Sequence, residues 1–142
     1  MADNIKVVSH VKDVNKELKH KLPIILEGIG IEMAGNSIDE ISKLVYDMPE
    51  GKSGYARTGR LRNSIAWAIQ EKSGTIMDPM ESEDSTPHMA PDENVVVIGT
   101  NVEYAPYVEA GTSYMPSRPF LKNGVANYAE DYKKLLEEGL KK

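Results

Sequence analysis

Arg57, Arg60 and Arg62 fall within six residues around Thr58-Gly59 and form a compact array of guanidinium donors. Such forks suit phosphate or carboxylate, and they serve equally well in a salt-bridged surface. The chain has no wider basic surface of the kind nucleic-acid binding requires, so acidic residues of a neighbouring protein are the favoured target. Arg118, between Pro116 and Pro119, is held on stiff backbone as an interface anchor would be. Other candidates fall short of chemistry. Gly28-Ile29-Gly30 after Ile24-Ile25-Leu26 could open a dinucleotide site, but Met33 occupies the third glycine position and the stretch also fits helical spacing. Gly51-Lys52-Ser53 lacks the glycine a phosphate loop needs five residues earlier, where Tyr46 stands. His10, His20 and His88 lack metal-site spacing, there is no cysteine, and Glu103 and Glu109 have no nucleophile or metal beside them as an acid/base pair. No cofactor and no metal are expected.

The elements that must position these residues follow from the apolar pattern. A chain of 142 residues with 40% hydrophobic content forms one domain, 1–142, with its own core. Six of the 22 acids lie between Asp78 and Asn94, a span with no Lys or Arg, so the net charge of -5 sits in one segment and the rest is nearly neutral. That segment, 78–94, carries Pro79, Pro87 and Pro91 and reads as a long mobile acidic loop or hairpin extension containing Glu83 and Asp84.

Helical spacing runs over 11–47, with Pro23 expected to divide it into a helix ending near Leu22 and a second toward Asp47. Ile31, Ala34, Ile38, Ile41 and Val45 mark the inner face of the second, and close approach of a neighbouring element would explain Gly28, Gly30 and Gly35. Met48 to Arg57 reads as a loop. Strands and loops occupy 64–100: Ile65, Trp67 and Ile69 alternate as a strand with one apolar face, and Val95 to Ile98 reads as a buried strand. Tyr104 to Ala110 suits one or two helical turns, Gly111 to Phe120 is extended, and a C-terminal helix spans about 121–141. The order predicts an α+β domain, a small antiparallel sheet with N- and C-terminal helices packed on it. The N-terminus lacks a secretory h-region and no apolar run approaches a membrane span, so the product is expected to stay soluble inside the cell that makes it.

The stretch Val102 to Leu121 concentrates the only Phe, three of the seven Tyr and three of the eight Pro. Aromatic rings and stiff backbone suit docking without a large ordering cost. Tyr104, Tyr107 and Phe120 could pin the segment to the sheet, leaving Glu109, Tyr114 and Arg118 to meet a neighbour. Three motifs in order, Thr58-Gly59-Arg60-Leu61-Arg62-Asn63-Ser64-Ile65, then Tyr104-Ala105 with Val108-Glu109 and Gly111-Thr112, then Pro116 and Arg118-Pro119-Phe120-Leu121, make the chain resemble the head-tail joining, or tail completion, proteins of tailed bacteriophages. It departs from them at Ala110, where an aromatic is usual, and at Lys122-Asn123-Gly124, which replaces a proline and alanine.

The resemblance implies a non-enzymatic structural protein in the virion neck of a phage or prophage, made in the host bacterial cytoplasm. It implies a ring of identical subunits, a hexamer in the usual case, between the head connector and the tail tube or tail terminator, with DNA passing through the channel and no membrane contact. A closed ring of identical subunits needs two different patches, and Arg57, Arg60 and Arg62 on one subunit facing Glu83 and Asp84 on the next are complementary candidates. A nucleotide-dependent enzyme using Gly28 and Gly30, and a host regulatory module that binds a protein partner, are the alternatives.

Overall fold

The computed structural model describes residues 8–46, 59–81, 83–85, 92–114 and 116–141. The loop expected from Met48 to Arg57, including Arg57 itself, lies outside the described residues, as do 82 and 86–91 of the acidic segment.

Helix α1, Val8–Ile41, is one continuous rod that ends in a wider π-type turn, Ser42–Tyr46. Pro23 lies inside it and does not divide it, contrary to the expectation. A proline in a helix interior costs about 3 kcal/mol, because it deletes one backbone bond and crowds the preceding turn. Packing supplies the opposing effect: the Cβ that Gly30 lacks would sit 3.3 Å from Trp67 Cβ and 3.3 Å from Val96 Cγ1, so helix and sheet are in direct contact one turn beyond the next. Ile29, Ala34, Ser37 and Ile41 are buried, whereas Ile31, expected on the inner face, is 42% exposed. Of the helix glycines only Gly30 meets the close approach expected. Gly35 has an ordinary contact with Ile76 and Gly28 has nothing within 4 Å.

The α+β expectation holds. A short helix α2, Arg60–Ser64, leads into β1, Ala66–Ala68, which pairs antiparallel with β2, Ser73–Thr75, and with β3, Val97–Gly99, in the order β2-β1-β3. Trp67 stands opposite both Gly74 and Ile98, and its indole lies across Gly74, 3.2 Å from the Cβ position there. Two strand expectations change. Both faces of β1 are buried, since Ala66 and Ala68 are as enclosed as Trp67. β3 is an edge strand that starts only at Val97, and along 95–98 Val95 and Val97 are each 40% exposed while Val96 and Ile98 pack against the core. An edge strand covers one face only, so alternation replaces a continuous buried run.

After α3, Ala105–Ala110, an extended stretch leads to α4, Phe120–Ala126, and α5, Ala129–Lys141. The single C-terminal helix is thus two, turned at Asn127 and Tyr128, where the Tyr128 hydroxyl donates to Glu40 Oε2 at 3.1 Å. α4 crosses α1 at Gly124, whose missing Cβ would fall 2.8 Å from Ser37 Cα, too close for any side chain. α5 lies along α1, with Gly139 against Ile25 and the Tyr132 hydroxyl shared between Asn36 Nδ2 and the Gly124 carbonyl. One apolar cluster joins α1, α2, β1, α3 and α4, with Phe120, Ile41, Ile65 and Val102 fully enclosed.

Candidate functional site

The segment Val102–Leu121 is braced from within. Thr100 Oγ1 accepts from Val102 N at 3.1 Å and shares a hydrogen bond with Ser64 Oγ, tying the start of the segment to α2. α3 then forms with Pro106 in its first turn, where a proline deletes no helical bond. It closes on Gly111, whose φ of 80° and ψ of 171° belong to a region essentially reserved for glycine. A Cβ there would lie 2.6 Å from Ser117 N, so residues 111 and 117 are in backbone contact. Arg118 N donates to Val108 O at 2.8 Å and Ser117 Oγ to Glu109 O at 2.7 Å, which completes the loop.

Two charged side chains predicted to face a partner lock this loop to its neighbours instead. Glu109 accepts from Leu121 N at 2.9 Å and from Lys122 N at 3.1 Å. It caps α4 from another helix, because the local cap, Pro119, offers no side-chain acceptor. Arg118 is 7% exposed, with Nε on the Leu44 carbonyl at 3.0 Å and Nη1 on the Pro116 carbonyl at 3.1 Å. Leu44 lies in the turn that ends α1, where backbone carbonyls lack helical partners and a cation is favoured. Arg118 is thus buried and Glu109 half-buried, and both are engaged within the chain.

The arginine motif has a related outcome. Gly59, at φ 84°, accepts from Asn63 N and starts α2, which points Arg60 at two carboxylates of its own chain. Arg60 Nε and Nη2 each lie 3.0 Å from the two oxygens of Asp84, while Nη1 and Nη2 reach Glu103 at 3.0 and 3.1 Å. The guanidinium also stands 6.0 Å from the Tyr104 ring centroid, within cation–π range. These bonds raise the Arg60 pKa, Asp84 contributing most. The Glu103 carboxyl is held below its ordinary range, first by its own backbone N–H and then by Arg60.

Asp84 is 3% exposed, and Asn101 binds the carbonyls of Glu83 and Asp84, so this part of the acidic segment is docked on the body and does not match the mobile loop expected. Arg60 and Asp84 meet within one subunit, where the sequence reading put them on two. Glu83 is exposed, and Arg62 is half-buried on α2.

Outward-facing groups remain. Tyr114, at the tip of the loop, is 95% exposed, and Tyr107 on α3 is 59% exposed, contrary to a pinning role. Phe120 is fully buried as expected, and Tyr104 packs at the edge of the core. Glu103 and Glu109 are engaged separately, one by a guanidinium and the other by a helix end. Gly28 and Gly30 lie mid-helix, so their amides belong to the α1 ladder and offer no phosphate cradle. Among the described residues no group of three or more His, Cys, Asp or Glu is placed to hold a metal ion, and no helix is long and apolar enough to cross a membrane.

Sequence reasoning missed Glu103 in the clamp, the Leu44 carbonyl as the target of Arg118, and the backbone contact at Gly111. The missing local cap at Pro119-Phe120 was a signal that an acceptor must come from elsewhere. Comparison with family models, with curated proteins and with solved structures finds no match to this chain.

Proposed function

We propose that this chain is a structural, non-enzymatic assembly protein of the neck of a tailed phage or prophage, joining the DNA-filled head to the tail as a ring of identical subunits. Its resemblance rests on three ordered motifs. The observation that carries the reading is the construction of the last two: a loop closed by Gly111, Ser117 and Arg118 that holds Tyr114 almost fully in solvent. An aromatic side chain on a backbone already ordered loses little entropy when it docks, which favours a subunit that must recognise a partner in one geometry.

Because Arg60, Asp84, Glu109 and Arg118 are taken up inside the subunit, Tyr107 and Tyr114 become the proposed anchors, with Glu83 as an exposed charge beside the clamp. The partners are a second copy in the ring, the head connector on one side and the tail tube or terminator on the other. DNA passes through the channel, and the chain reaches the virion after synthesis in the bacterial cytoplasm. An in vitro joining assay tests this. Extracts from a phage lacking the chain should hold unjoined heads and tails, which the purified chain converts to complete particles. Joined particles in its absence would end the proposal.

A further inference from the structure

The outer face of α1 carries an apolar stripe that the described residues leave uncovered. Ile24, Gly28, Ile31 and Gly35 recur at steps of three and four and so share one line of the helix. Ile24 is 72% exposed, Ile31 is 42% exposed, and the Cβ position of Gly28 has no atom within 4 Å. Ile76, 48% exposed, continues the stripe by placing Cδ1 3.4 Å from the Cβ position of Gly35. Gly30, on the opposite face, is required by Trp67. Among the described residues nothing requires Gly28, although a glycine inside a helix lowers its stability.

We infer that this face pairs two copies of the chain through an antiparallel α1–α1 contact in the free protein. The register of the stripe is self-complementary. A two-fold axis between residues 29 and 30 sets Ile24 of each copy level with Gly35 of the other and against the Ile76 that lies on it. It sets Ile31 of each copy level with Gly28 of the other, where the absence of a side chain leaves room for it. Charge selects the direction. Lys21 and Asp39 lie on one edge of the stripe, about five turns apart at 3.6 residues per turn. Antiparallel pairing brings Lys21 of each copy beside Asp39 of the other, twice, whereas a parallel two-fold pair puts the Lys21 and Asp39 edges of the two copies on opposite sides of the seam.

The occupant is a second copy because one stripe supplies both knob and hollow and both members of the charge pair. The contact is isologous, and so separate from the heterologous contact a ring needs.

Sedimentation velocity of the full chain from about 1 to 100 µM, the range that reports micromolar pairing, tests the inference. The mass is expected to rise from one copy to two. Ile24→Glu, at an exposed position, raises the dissociation constant about tenfold or more with unchanged circular dichroism. Gly28→Leu weakens pairing without lowering the thermal midpoint. Lys21→Glu and Asp39→Lys each weaken pairing, and the double swap restores it. A wild-type mass of one copy throughout, or a two-copy mass indifferent to Ile24→Glu and Gly28→Leu, overturns the inference. A larger closed assembly that survives Ile24→Glu also overturns it while leaving the ring proposal standing.

Discussion

Replacing Arg118 by Met keeps the length and apolar stem of the side chain and deletes its guanidinium. That group donates to the carbonyls of Leu44 and Pro116 from a position 7% exposed to solvent. A hydrogen bond from a charged donor contributes about 1.5–3 kcal/mol, and a buried acceptor left without a partner costs about 1–3 kcal/mol. These effects overlap, so the expected loss for the two bonds is about 3 kcal/mol. For a domain of this length the thermal midpoint should fall by about 10 °C. Arg118→Lys has no planar fork, engages one carbonyl at a time, and should lose about half as much. Urea unfolding followed by circular dichroism measures both, and an unchanged denaturant slope shows that the loss belongs to the native state. An Arg118→Met subunit within about 0.5 kcal/mol of wild type would refute the internal role. The contrary reading, an anchor aimed at a partner, predicts an intact free subunit and weakened assembly.

Gly111→Ala places a Cβ 2.6 Å from Ser117 N at a φ of 80°, so thermal unfolding should show a loss of about 2 kcal/mol or more, and a neutral result would mean that the loop closes by another route. Glu109→Ala should cost about 2 kcal/mol and speed amide exchange at Leu121 and Lys122, with Glu109→Gln retaining about half of the cap; unchanged exchange in the alanine variant would remove the cross-helix cap. The depressed Glu103 pKa contributes stability above the unfolded carboxylate value near 4.3, and that contribution is lost as pH falls through the lower folded value. Acidification below about pH 4.3 should therefore weaken the wild type more than Glu103→Gln, less so in high salt, and equal acid sensitivity would discount the clamp.

Periodicity made the helices legible, together with the α+β class and the short helix at Tyr104 to Ala110, because those signals are local. Pro23 misled for the same reason: its local penalty is real, but packing of the downstream half of α1 on Trp67 and Val96 is a tertiary effect that no window of sequence contains. β2 passed unnoticed because Ser73-Gly74-Thr75 has little strand character, and its place comes from pairing with β1. The charged residues were recognised as anchors, but their direction could not be read. Opposite charges at Arg60 and Asp84 attract equally well within a subunit or between two. The target of Arg118 is a backbone carbonyl at Leu44, which leaves no mark on side-chain patterns. Tyr114 is exposed, as a contact with a neighbour requires, whereas Tyr107 differs from the pinning expectation because α3 buries Ala105 and Val108 and leaves it 59% exposed.

Mass measurement of the purified chain, alone and after incubation with tail tubes, tests the neck assignment most directly. The expected result is a closed ring on the tube end, abolished by Tyr107→Ser with Tyr114→Ser at an unchanged thermal midpoint. A chain that stays off the tubes at every concentration, or a ring indifferent to the loss of both tyrosines, contradicts it.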